Sequence, residues 1–170
     1  MRKKARAKRT SQATCPCGSG KQYAECCKPL HEGLEFPQRP EDLVRARFGA
    51  YALCLPQYLW TTLHSSHDDR KHDRESFVAE CAGRLPSLKY KRVHILDREE
   101  PDRHGIARVL FAVELHQLNR DLSFVEQADF IQEDGQWRYL MGVARPLREL
   151  THNTAEMRLD HWECDHHHHH

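Results

Sequence analysis

The sequence predicts an α+β protein in which three helices pack on a curved antiparallel sheet, preceded by a small cysteine-rich knuckle. Three observations carry this expectation. Four cysteines fall between residues 15 and 27. Residues 41–64 and 74–85, separated by a polar loop, carry apolar positions at helical spacing. From residue 89 onward the period shortens to two, in four segments rich in β-branched and aromatic side chains.

The chain has 170 residues, room for one compact domain and a small appendage. Hydrophobic residues at 39% and charged residues at 30% describe a soluble, highly charged chain, and no apolar run is long enough to span a bilayer. The opening MRKKARAKRT lacks the apolar stretch of a secretory signal, so the expected compartment is the cytoplasm, where structural disulfides are rare. Six of the 26 basic residues (Arg2, Lys3, Lys4, Arg6, Lys8 and Arg9) lie in those first ten positions, leaving 20 basic against 25 acidic residues for the body. Residues 1–13 are therefore expected to be a basic, disordered tail, or an electrostatic arm toward RNA, a ribosome surface or anionic lipid. The arm has no interleaved aromatics, so base-specific reading is not indicated. At the other end, His166–His170 are expected to belong to a purification tag.

The knuckle comes next, over residues 14–33. Cys15-Pro16-Cys17 and Cys26-Cys27 are two short segments that each present two sulfurs, the arrangement from which a tetrahedral thiolate site for zinc is built. Between them, Gly18 and Gly20 let the chain double back, and their neighbourhood can aim amides at the sulfurs. QYAECC reads as a short helix or turn that delivers the last two ligands, with Tyr23 covering one face. A unit with so small a core would take its folding energy from the metal. A redox pair leaves the matched second pair unexplained, and a disulfide framework sits poorly with seven cysteines in a cytosolic chain. GSGK is not a phosphate-binding P-loop, because that motif needs Gly and Ser or Thr where this chain has Cys15 and Gln22. His31 is read as secondary to the four thiols.

CPCGSGKQYAECC resembles the SEC-C motif, C-x-C-x8-C-C/H, found at the tail of the SecA preprotein translocase and in many small bacterial proteins. The resemblance implies a bound metal held by Cys15, Cys17, Cys26 and Cys27, generally zinc with iron as the alternative, and in some members contact with a protein partner or the ribosome.

Residues 34–40 form a proline-rich linker, and the main domain is expected over 41–148. Val44, Phe48, Tyr51 and Leu55 recur on one helical face behind Glu41 and Asp42 in the first turn. Pro56 opens a second helix, PQYLWTTLH. Asp73 is placed to cap a third, RESFVAECAGRL. Four strands follow at 89–96, 105–115, 124–133 and 136–143, with Asp134-Gly135 as a hairpin signal between the last two. In the fourth, Trp137, Tyr139, Met141 and Val143 are expected to share one core-facing side. Residues 149–170 are expected to be a tail.

DLVRARFGAYALCLPQYLWTTLH, ADFIQEDGQWRYLMGVARP and the knuckle together resemble the YchJ-like family of bacterial proteins, in which a SEC-C motif precedes a nuclear-transport-factor-2-like domain. The resemblance covers residues 14–146 and implies a nuclear-transport-factor-2-like, or cystatin-like, cone enclosing a pocket, in a functionally uncharacterised family. Some members carry a second SEC-C motif after the RP segment; here only Cys164 remains, so no second site is expected.

Pocket candidates are Tyr51, His64, Tyr90 and His116, with Glu114 and Asp129 as further ionisable groups; no triad, dyad or acid pair stands out. Cys54 and Cys81 read as small hydrophobes. The favoured reading is a zinc-binding adaptor rather than an enzyme, whose knuckle, Lys21, Lys28 and basic arm meet a protein or ribonucleoprotein surface. The alternative is a small-molecule-binding protein or enzyme using the cone pocket.

Overall fold

The computed structural model describes residues 13–151, 153–160 and 162. The expected basic tail, except Ala13, lies outside them, as do Cys164 and the histidine run. A 3-10 turn (Tyr23–Glu25) leads into α1 (Lys28–His31), α2 (Pro40–Ala52) and α3 (Pro56–Thr61). After a second 3-10 turn (Asp68–Lys71) comes α4 (Arg74–Arg84), then β1 (Lys89–Glu99), β2 (Ala107–Gln117), β3 (Arg120–Asp121), β4 (Phe124–Glu133) and β5 (Gln136–Pro146). This is the expected order of helices followed by strands, with β3 and α1 added.

Local chemistry sets the element ends. Pro40 and Pro56 each sit in a first turn, where a missing N–H costs nothing. Asp73 accepts a 2.7 Å hydrogen bond from the Ser76 amide and so caps α4. α2 stops at Ala52 because Cys54 turns left-handed at φ 56°, so Leu55 begins α3 instead of extending the α2 face. Asp134 and Gly135 both take positive φ, 54° and 76°, closing the β4–β5 hairpin in two residues.

The strands pair antiparallel in the order β1-β2-β4-β5, with β3 against β2. On the inner face Val109, Phe111 and Val113 of β2 and Ala128 and Phe130 of β4 pack against Leu43, Val44 and Phe48 of α2. Burying each large aliphatic or aromatic side chain contributes about 1.5–3 kcal/mol.

Two expectations are corrected. Met141 and Val143 do not share the core face of Trp137 and Tyr139. Phe130 pairs with Tyr139 but Asp129 pairs with Met141, so Leu140 is an extra residue, a bulge that flips every later side chain to the opposite face. Trp137 is 8% exposed, Met141 53%. The bulge coincides with a second attachment: Tyr139 donates its amide to Thr62 O and accepts from the His64 amide, at 2.8 and 2.9 Å. The second correction is the C-terminal tail. Met157, Leu159 and Trp162 are buried against Leu110 and Val125 on the outer face of the sheet. The Leu159 amide donates to Asp97 Oδ2 at 2.9 Å, tying the segment to β1. These side chains cover an apolar patch that β2 and β4 otherwise leave open to water.

Candidate metal centre

Residues 14–27 fold back on themselves. Thr14 and Gln22 form an antiparallel bridge, Cys15 N–H donates to Lys21 O at 2.9 Å, and Gly18 and Gly20 take φ of 79° and 83° at the turn. A side chain there would be strained by backbone conformation alone. This turn carries Cys15 and Cys17 to one side of the site. The Tyr23–Glu25 turn delivers Cys26 and Cys27 to the other.

The four Sγ atoms of Cys15, Cys17, Cys26 and Cys27 lie within 4.8 Å of one another. Cys17 and Cys26 are 3.5 Å apart, Cys26 and Cys27 4.0 Å. A tetrahedral zinc–thiolate site, with arms of about 2.3 Å, has sulfur–sulfur edges of roughly 3.8 Å, so the donor set and its spacing fit a metal ion. Cys15, Cys17 and Cys27 are buried, and Cys26 is the half-exposed member, with Ser19 Oγ 3.1 Å from its sulfur. Without a metal, the thiols cannot all ionise. The Cys17 thiol is brought down to about 4, chiefly by a hydrogen bond with Cys27. That bond and burial push Cys27 far up, and burial lifts Cys15 to about 11, restrained by the amides of Cys17 and Cys27. A cation is the group that would hold four thiolates together here. Four protein donors leave no open coordination position for substrate, which is the donor pattern of a structural site.

His31 does not join the sulfurs. Its Nε2–H donates to Ala46 O at 2.7 Å, which leaves Nδ1 to accept from Tyr23 Oη at 2.8 Å. The ring meets Tyr58 edge-on at 4.9 Å. A Cβ on Gly49 would come within 3.1 Å of this ring. Arg45 adds a hydrogen bond to Cys17 O at 3.1 Å. The knuckle is therefore seated on α2, with Ala46 in one buried cluster with three of the cysteines. Sequence reasoning left His31 aside; the small residues Ala46 and Gly49, one helical turn apart, were the available signal for a close approach.

Beside the knuckle, Cys15, Pro16 and Gly18 form one wall of a groove of about 560 Å³, and Arg45, Lys91, Arg92 and His94 line the rest with Val93 and Ile95. Lys91, Arg92 and His94 are exposed and lie on β1, an edge strand.

Of the pocket candidates, Tyr51 and Tyr90 come together, stacked at 5.2 Å, and line a cavity of about 480 Å³ between α2 and the sheet. His64 and His116 do not line it. Val113, Leu115 and Gln117 of β2 do, so period-two alternation sends Glu114 and His116 to the opposite face. Glu114 pairs there with Arg92 at 3.6 Å, and Asp129 with Arg108 at 3.5 Å. His64 is held by Ser66 and lies 3.4 Å from Glu133, whose carboxylate also accepts from the Ser65 hydroxyl. Sequence reasoning missed Glu126, which does line the cavity; the signal was its register with Phe124, Ala128 and Phe130. Cys54 and Cys81 are unpaired thiols beside an apolar cluster, and burial raises Cys81, away from nucleophile chemistry. Among the described residues no helix is long and apolar enough to cross a membrane.

Comparison with known proteins follows the same division. The profile described as "YchJ, middle NTF2-like domain" matches residues 39–142, and that of the SEC-C motif matches residues 13–29. A UPF0225 protein of Bordetella parapertussis is 32% identical over 139 residues, 80% of this chain and 96% of the relative. One from Photorhabdus laumondii is 30% identical over 134 residues, 76% of this chain and 79% of the relative. Among solved structures, a SEC-C motif containing protein from Rhodopseudomonas palustris superposes with a TM-score of 0.64 at 26% identity, covering 77% of this chain and 98% of that one. A sec-c motif containing protein from Psychrobacter arcticus gives the same TM-score at 19% identity, covering 77% and 82%, and shows the fold alone.

Proposed function

The chain belongs to the YchJ-like, UPF0225 family, a SEC-C motif joined to an NTF2-like domain, and from that premise we propose that it is a zinc-holding adaptor of the cytoplasm that binds an anionic ribonucleoprotein surface. The observation that carries this reading is the groove in which the knuckle meets the β1 edge. Its knuckle-side wall is Cys15, Pro16 and Gly18, and its other side carries Arg45, Lys91, Arg92 and His94. Lys21 and Lys28, both exposed, extend positive charge across the knuckle, and the sequence adds six basic residues in its first ten positions. Such a surface suits phosphates, whose binding is driven by counterion release and weakens steeply with salt. Zinc rather than iron suits a closed four-thiolate site with no redox task. Its part would be to fix the knuckle wall of the groove, in a compartment that keeps thiols reduced.

The test is co-sedimentation with ribosomes across a salt series. Association should fall as salt rises, and Lys91→Glu/Arg92→Glu should abolish it while the far-ultraviolet spectrum stays unchanged. Association that is insensitive both to salt and to this charge reversal overturns the proposal. Elemental analysis of protein freed of its histidine run should find about one zinc per chain, with four thiols reactive only after chelation.

A further inference from the structure

The cavity between α2 and the sheet has a construction that the proposed adaptor role does not use. Its volume of about 480 Å³ falls within the roughly 300–1,000 Å³ of small-ligand sites. Its walls are apolar and ring-rich: Phe48 meets Tyr90 edge-on at 5.9 Å, Tyr90 stacks on Tyr51, and Phe111, Phe124 and Phe130 close the sheet side.

Three polar side chains of this lining, Tyr139, Glu126 and Arg47, lie against one another, and Arg84 and Gln117 line the cavity as well. Tyr139 Oη donates to Glu126 Oε2 at 2.8 Å, and among the described residues Oε1 has no hydrogen-bond partner. Arg47 is fixed close by: its Nη1 donates to Leu59 O at 2.9 Å and to Thr62 Oγ1 at 2.6 Å, and its guanidinium lies 4.7 Å from the centre of the Tyr139 ring. Gly142 makes the arrangement possible, since a Cβ there would collide with Tyr139 Oη and with the Glu126 carboxyl group. Burial raises the Glu126 pKa, while the Tyr139 hydroxyl and the Arg47 charge hold the rise back.

We infer that this cavity is a binding site for a ring-bearing small molecule whose polar end donates a hydrogen bond, N–H or O–H, to Glu126 Oε1. The ring-lined walls select a flat apolar body by stacking and edge contacts. The free carboxyl oxygen selects a donor, because a guest without one leaves that acceptor unpaired once water is displaced.

Indole and benzofuran share a shape and differ in the N–H, so they are the probes, titrated calorimetrically into the full chain. Indole should bind roughly 10-fold or more tightly than benzofuran. Glu126→Leu should bring the indole-to-benzofuran ratio close to one with benzofuran affinity held. Val113→Phe, which fills the cavity, should remove binding of both and serves as the deciding variant if Glu126→Leu does not fold. Absence of saturable indole binding, a preference that survives Glu126→Leu, or indole binding that survives Val113→Phe overturns the inference.

Discussion

Gly142 has no side chain in a strand where β-branched residues are favoured, and the cause lies across the sheet. Its missing Cβ leaves room for the Glu126–Tyr139 hydrogen bond. Gly142→Ala should therefore cost about 1–3 kcal/mol in urea unfolding, an overpacking penalty, and Tyr139→Phe made in the same chain should recover part of it by removing the clashing hydroxyl. Glu126 gives a pH signature of its own. Its folded-state pKa is raised, so between the ordinary carboxylate range and that raised value the folded state holds a proton that the unfolded chain has already lost, and above that window the group is the carboxylate acceptor that the cavity offers. Its contribution is intact below the ordinary carboxylate range and declines as pH rises through the window up to the folded pKa. Glu126→Gln should flatten that part of the stability–pH curve, and an unchanged curve would show that the carboxyl group is not protonated on folding. His31 has the opposite sign. Burial lowers its pKa, so its contribution is present above about pH 6.5, the ordinary histidine value, and is lost as pH falls through the lowered folded pKa. His31→Ala, which leaves Ala46 O and Tyr23 Oη without their partner, should cost about 2 kcal/mol and remove this acid limb.

Among the elements, α2 serves both sites. Arg45, Ala46 and Gly49 face the knuckle, while Val44, Arg47, Phe48 and Tyr51 face the cavity. Loss of metal should be felt in α2 before it is felt in the sheet. Cys26→Ser is expected to release the metal and speed amide exchange in α2. It should lower the thermal midpoint by roughly 4–8 °C for a loss of about 2 kcal/mol while leaving one cooperative transition for the α+β domain. Collapse of the whole transition would mean that the knuckle belongs to the core. In β5, the Leu140 bulge accounts for a reading that failed: period-two logic placed Trp137, Tyr139, Met141 and Val143 on one side, and a single inserted residue divided them. That bulge is where residues 62–64 attach to the strand, a long-range contact that no local pattern announces.

For the whole molecule, the sheet is covered on both faces, by α2 on the inner side and by Met157, Leu159 and Trp162 on the outer. Trp162→Ala should cost about 3–5 kcal/mol and raise binding of an apolar dye, since Leu110 and Val125 lose their cover; a neutral result would mean that the segment merely rests on the sheet. The sequence alone determined the four-thiol knuckle, because ligand spacing and the two turn glycines are local properties of residues 15–27. It also determined the order of three helices and four long strands, because period 3.6 and period 2 are written into neighbouring positions. Capping by Asp73 and the Asp134-Gly135 turn were legible for the same reason. Only the tertiary structure decided that His31 seats the knuckle, that Glu126 lines the cavity while His64 and His116 do not, and that the C-terminal segment is a cover. Each of these depends on which side chain meets a residue distant in the chain. Register, bulges and packing set those meetings, and they act between segments, where a pattern read along one segment has no information.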